Sequence, residues 1–191
     1  MNINRALTPF LLLLLGCAAV QAAERKEWAT LADCGYVAHS NNDGDSFHVR
    51  CGADEFVVRL YFIDVPETNL IYPERTREQA EHFGASLDAT LKAGSTARAF
   101  VRDTLRVPFT VATRKASAQG RARDQRYYAM VQVGGKGLDE LLVLRGLARV
   151  KGVALNIPGG ESARAHTERL RLLEDNAREK GRGLWARDAK K

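Results

Sequence analysis

Apolar and polar positions alternate with a period of two through Ser46–Cys51, where Phe47 and Val49 fall on one side and His48 and Arg50 on the other. A further run, Phe56–Ile63, is almost wholly apolar, rich in Val, Leu, Tyr and Phe, and is stopped by Pro66. With Tyr36–Ser40 ahead of the turn signal Ser40-Asn41-Asn42-Asp43-Gly44, these runs predict a hairpin and a third strand. From Pro73 to Phe83 the pattern turns polar and helical. Gly84 and Gly94 interrupt it, and Ser95 is placed to cap a helix over Thr96–Leu105. Val107–Thr113 and Tyr127–Val133 read as two more strands, separated by a stretch from Arg114 to Arg126 that is too basic to bury. A short helix over Leu138–Arg145 ends at Gly146. A last amphipathic helix, from about Ser162 to Lys180, carries Leu170, Leu173 and Ala177 on one stripe before Gly181, and Leu184 and Trp185 are expected to dock on the body. The order is α+β, and a five-stranded OB-type Greek-key barrel with about three helices accommodates it.

The first residues change the picture of what folds. Arg5 followed by an apolar stretch over Ala6–Leu15, with five consecutive leucines, and then by small residues, has the grammar of a secretory leader. Cleavage after Ala22 is one reading, leaving residues 23–191 as a single domain. Cleavage and lipidation at Cys17, within Leu14-Leu15-Gly16-Cys17, is the other. The apolar run is shorter than the roughly 20 residues that a membrane span needs. The expected location is secreted or periplasmic, with a membrane-anchored lipoprotein as the alternative.

Cys34 and Cys51 would then sit in an oxidising compartment, and their midpoint falls between Asn42 and Asp43, inside the turn signal. A hairpin turning there brings them opposite each other, so a disulfide is expected. The chain carries 29 Lys and Arg against 23 Asp and Glu, and loss of the leader removes only Arg5, leaving a formal charge of +5. That balance favours polyanions without specifying one.

Two carboxylates break the strand pattern. Asp45 shares parity with Phe47 and Val49, and Asp64 with Val58, Leu60 and Phe62, so both fall on the apolar side at strand ends. A lone carboxylate there is costly. Two together either require a cation, for which hard oxygen ligands suit Ca²⁺, or cap turns where alternation breaks down. Arg59 lies on the opposite parity and can lean over the barrel mouth, and Glu67 follows across the Pro66 bend. Cation, carboxylate base and guanidinium form the inventory of phosphodiester hydrolysis.

The run "DGD" followed by "RLYFIDVPET", with "GLARV" over Gly146–Val150 and a closing Gly-Leu-Trp, resembles the staphylococcal-type thermonuclease family from about Tyr36 to Trp185. The resemblance implies an OB-fold nuclease cleaving DNA and RNA with Ca²⁺. On it, Asp45 and Asp64 would ligate calcium through their carboxylates and Val65 through its carbonyl. Glu67 would position or activate the attacking water, and Arg59 would bind phosphate. A second arginine would be Arg126, which sets Ala129 on the family's alanine, with Arg121 and Arg123 as rivals. Ser46 stands for the usual threonine, Val65 occupies a position often threonine, and Gln125 replaces a glycine. The stretch after Thr68 is longer than in short members, and "RVKGVALNIPGG" has no tyrosine where some relatives stack a base. The contrasting reading is a noncatalytic OB module that binds nucleic acid. The expected substrate is DNA or RNA, with the protein a monomer lacking an obligate protein partner.

Overall fold

The computed structural model describes residues 27–118 and 126–186. The leader with Cys17, and Arg121, Arg123 and Gln125, lie outside the described residues.

Strands β1 (Ala29–Tyr36), β2 (Ser46–Cys51) and β3 (Asp54–Leu60) are followed by helices α1 (Pro73–Phe83) and α2 (Leu87–Thr104). Then come β4 (Phe109–Ser117), β5 (Arg126–Val133), the two-residue β6 (Lys136–Gly137), α3 (Leu138–Leu144) and α4 (Ala163–Glu179), with a 3-10 turn over Gly183–Trp185. The strand order is β3-β2-β1-β4-β5-β6. Parallel pairing of β3 with β5, from Val57↔Arg126 to Leu60↔Ala129, closes the first five strands into a barrel. The protein thus has the α+β, OB-type fold expected, with four α-helices among the described residues where about three were anticipated.

The first strand lies upstream of Tyr36–Ser40. Its early part is held by β4, through Ala29↔Thr113 to Leu31↔Val111, and only its end meets β2. Backbone pairing with a strand some 80 residues away leaves most of its side chains exposed, so no apolar alternation marks it. The connection that follows is braced by Asn42, whose amide donates to Val37 O at 2.8 Å while its Oδ1 accepts from His48 N at 3.0 Å. The β1–β2 register, Gly35↔Arg50, sets Cys34 opposite Cys51, and the two form a disulfide across a Cα separation of 4.3 Å.

The second helix also differs from expectation. Its N-cap is Ser86, whose hydroxyl accepts from Ala89 N at 3.2 Å, and it runs through Gly94 without a break. Gly94 is there for space. A Cβ at this position would fall within 3 Å of the Pro66 and Glu67 carbonyl oxygens, so α2 lies directly against the segment that carries Glu67. Gly44 has the same function in the β1–β2 connection, where a Cβ would run into the Val65 side chain.

The third strand stops at Leu60, short of Ile63. Phe62 adopts φ 67°, a left-handed conformation rare for a bulky residue, and its N–H donates to Val153 O at 3.0 Å. From there both parities are buried, with Tyr61, Phe62, Ile63 and Val65 all in the core. Asp64 therefore reaches the interior through this bend rather than by strand alternation. It is fixed by reciprocal 3.0 Å backbone hydrogen bonds with Arg149.

The main core fills the barrel and the face under α3 and α4. A smaller cluster of Phe83, Ala93, Ala177, Leu184 and Trp185 joins α1, α2 and α4. Between α3 and α4, His166 Nε2 and Asp139 Oδ2 form a buried pair at 2.6 Å, flanked by Glu161, Arg169 and the Phe62 ring. Burial opposes the imidazolium, but the Asp139 carboxylate outweighs it, so the His166 pKa is raised.

Two outcomes follow from this packing. Replacing Gly94→Ala gains about 1 kcal/mol of helix propensity but drives a methyl into rigid backbone, which costs more. Chemical denaturation should show a net loss of roughly 1–2 kcal/mol, and a net gain would contradict the close approach. For His166, a raised folded pKa means that its contribution is complete below the unfolded value of about 6.5. It is lost as pH rises through the folded value. Denaturation across that range should show wild-type stability declining more steeply than that of His166→Gln; parallel profiles would remove the pair's contribution.

Candidate active site

Asp43, Gly44 and Asp45 divide the labour at the start of β2. Asp43 Oδ1 accepts from the backbone N–H groups of Asp45 (3.1 Å) and Ser46 (2.6 Å), closing the turn. Gly44 lets Val65 pack against the turn. Asp45 is thereby freed from capping and points inward, 2% exposed, with Oδ2 accepting from Val65 N at 2.9 Å. Turn capping accounts for Asp43 and not for Asp45.

Arg59, one residue before the end of β3, spans the two buried aspartates. Its Nη1 lies 2.6 Å from Asp45 Oδ1 and its Nη2 3.4 Å from Asp64 Oδ1. Arg149 grips the other Asp64 oxygen, with Nε and Nη2 each 2.8 Å from Oδ2. Gln79 adds a 3.0 Å hydrogen bond to Oδ2, donates to the Val65 carbonyl at 2.9 Å, and accepts from Glu67 N at 2.9 Å. Arg75 joins Asp64 Oδ1 to Glu67, whose Oε1 lies 2.8 Å from Arg75 Nε.

The electrostatics follow from this uneven sharing. Burial, with Asp43 and Asp64 adding to it against the pull of Arg59 and the Val65 N–H, leaves the Asp45 carboxyl pushed up to about 8. Asp64 is also raised by burial, but Arg75, Gln79, Arg149 and Arg59 together hold it below the ordinary carboxylate range. Glu67 is raised, chiefly by burial and then by Asp45 and Asp64, against the pull of Arg75 and Arg59. The pair is short of positive charge on the Asp45 side.

Above these groups opens a cleft of about 940 Å³, lined among others by Arg59, Glu67, Arg75, Arg126 and Tyr128. Arg126 opens β5 and reaches Ser46 Oγ at 3.5 Å. At the rim, Ile71 and Tyr72, from the long stretch before α1, are 71% and 42% exposed. The structure thus places Arg59, Glu67 and Arg126 on the cleft wall, with Asp45, Asp64 and Val65 in the layer beneath.

Three participants escape the pattern-based reading: Arg75, Gln79 and Arg149. Arg75 and Gln79 stand four residues apart on α1, so they share a face. Thr76 and Gln79 are buried together with Ala80 and Phe83. Polar residues on the inward stripe of a helix were the available signal. Arg149 lies within the "GLARV" run, but nothing in its local pattern announces that its side chain is only 4% exposed.

Asp45, Asp64 and Val65 offer only oxygen, the class that Ca²⁺ and Mg²⁺ take. Among the described residues, no three His, Cys, Asp or Glu side chains form a metal cage, so carbonyl and water oxygens would have to complete the shell. A single guanidinium bridging both Oδ1 atoms, with Asp45 still raised, is consistent with a place for more positive charge than Arg59 supplies. The residues fit.

Among curated proteins, none matches the chain. Residues 57–187 match the family model described as staphylococcal nuclease homologue, from within β3 to beyond the C-terminal 3-10 turn. Asp45 precedes the matched span and enters the site through Arg59 and Val65. Since the match takes in well over half of the 191 residues, together with the barrel closure, Asp64, Glu67, α1 and Arg149, the chain belongs to the staphylococcal nuclease homologue family.

Proposed function

We propose that this protein is an exported, Ca²⁺-dependent nuclease that hydrolyses DNA or RNA phosphodiester bonds with little sequence preference. The observation that carries the reading is the convergence of two buried aspartates, a glutamate and the arginines Arg59 and Arg126 on one open cleft. A module that only binds nucleic acid has no need to bury Asp45 and Asp64 together beneath its binding face, at the desolvation cost that this entails.

In this reading Asp45, Asp64 and the Val65 carbonyl hold the cation, which when bound would polarise a phosphoryl oxygen and attract the substrate. Glu67 orients a water on the cleft side of the Pro66 bend. Its raised pKa makes it a stronger base than an exposed glutamate. As the water oxygen attacks phosphorus, its proton passes to Glu67 and the opposite P–O bond breaks, leaving a phosphate monoester and an alkoxide that takes up a proton from solvent water. Arg126 donates into the cleft, where a guanidinium fork matches two phosphoryl oxygens as negative charge develops. Arg59, on the strand paired with that of Arg126, serves the same charge once it is no longer committed to the aspartates. Tyr72 and Ile71 on the rim give the bases an apolar surface to lie against.

The leader pattern and the Cys34–Cys51 disulfide support export to an oxidising compartment, as a soluble protein or through a lipid on Cys17. Among the described residues, no helix is long and apolar enough to cross a membrane.

The test is cleavage of plasmid and single-stranded nucleic acid by the protein without its leader, with calcium or with chelator. Glu67→Gln should lower kcat by roughly 10²–10⁴-fold while leaving substrate binding nearly intact. Binding without cutting by the wild-type protein, under every divalent ion tried, would replace the nuclease with a binding module. In the same assay Arg126→Ala should lower kcat by about 10²–10³-fold, far more than Arg121→Ala. Equal losses would transfer that role to the loop as a whole.

A further inference from the structure

Asp64 is held from two sides in different ways. Its Oδ2 is gripped by Arg149 and Gln79, both buried, which fix it to the barrel and to α1. Its Oδ1 carries two guanidiniums, Arg59 and Arg75. Arg59 already links Asp64 to Asp45, so Arg75 is not needed to keep Asp64 paired. Nor is Arg75 built into the core: its side chain is 37% exposed and lines the cleft, against 4% for Arg149. Its second contact is with Glu67, through Nε at 2.8 Å. One guanidinium thus straddles the buried Asp64 carboxylate and the Glu67 carboxylate assigned to the water.

We propose that Arg75 is a built-in competitor for the divalent cation, occupying Asp64 Oδ1 and Glu67 and thereby setting the affinity of the site for metal. The inference rests on the reading of Asp45 and Asp64 as cation ligands. Its logic is local electrostatics. Arg75 sets one positive charge against both Asp64 Oδ1 and Glu67 Oε1. A dication drawn to Asp64 would meet that charge and compete with it for the carboxylate oxygen. Without Arg75 it would meet one positive charge fewer and one Asp64 contact fewer. Arg75 therefore protects the carboxylates when metal is scarce and raises the concentration of calcium at which the site fills. A residue that merely supported the fold would, when removed, loosen the ligands and weaken metal binding, so the two roles predict opposite signs.

The experiment is calorimetric titration of Ca²⁺ into the wild-type protein, Arg75→Ala, Arg75→Gln and Arg75→Lys, with no substrate present. Arg75→Ala and Arg75→Gln should bind calcium about tenfold more tightly, since one unit charge has left the neighbourhood of a dication. Arg75→Lys, which restores the charge, should return toward the wild-type affinity. Arg75→Gln preserves side-chain bulk and an amide donor, and decides the matter if Arg75→Ala fails to fold. Thermal unfolding in chelator verifies that each variant compared is folded. Unchanged or weaker calcium binding in a folded Arg75→Gln overturns the proposal while leaving the nuclease reading intact. If the wild-type protein takes up no calcium, the cation reading beneath it falls, and this inference falls with it.

Discussion

Two carboxylates buried side by side at one end of a barrel impose the constraint on which the rest of this structure depends. Asp45 and Asp64 are 2% and 6% exposed, and ionised groups at that depth require compensating charge. The fold brings it from three directions: Arg59 from β3, Arg75 from α1, and Arg149 from the segment that pairs with Asp64 through the backbone. Much of the architecture around the cleft can be understood as the means of delivering those guanidiniums. Closing β3 onto β5 sets Arg126 beside Ser46. The left-handed residue at Phe62 turns the chain so that Asp64 enters the interior, and the reciprocal hydrogen bonds to Arg149 lock it there.

Helix α1 connects this electrostatic cluster to the packing of the rest of the molecule. One face carries Arg75 and Gln79 toward the carboxylates, and Phe83 joins the smaller core against Trp185. Gln79 is the pivot. Its single amide contacts Asp64, the Val65 carbonyl and the Glu67 backbone, so three of the four positions from Asp64 to Glu67 are registered to one side chain. From the opposite side, α2 presses on the same segment at Gly94, where nothing larger than hydrogen fits. The Pro66–Glu67 bend is thus clamped between two helices, which would hold Glu67 as rigidly as the role proposed for it requires.

Several of these features are legible in the sequence, for identifiable reasons. Strand β2 announces itself by alternation, because one face of it meets the core, and β3 by a run of β-branched and aromatic residues. The pairing of Cys34 with Cys51 follows from a turn signal midway between them. Asp45 stands out because the alternation of β2 carries on into the residue just before its start. Other features depend on contacts between distant segments, which local pattern does not encode. The first strand is held by β4 through backbone hydrogen bonds and exposes most of its side chains, so it carries no periodic mark. Gly94 reads locally as a helix breaker, and only the opposing Pro66–Glu67 backbone shows why a glycine sits within a helix. Asp64 has the parity of a buried strand residue but arrives there around a bend. Arg75 and Arg149 look like surface charges until the carboxylates they neutralise are in place.

The central claim is that Arg59 stands, in the protein alone, at a place between Asp45 and Asp64 that a divalent cation takes during function. Diffraction from crystals grown in saturating calcium tests it directly. The account predicts an anomalous peak between the two carboxylates, with the Arg59 guanidinium withdrawn from Asp45 Oδ1 into the cleft. Arg59 still spanning both aspartates, with no ion between them, would contradict it.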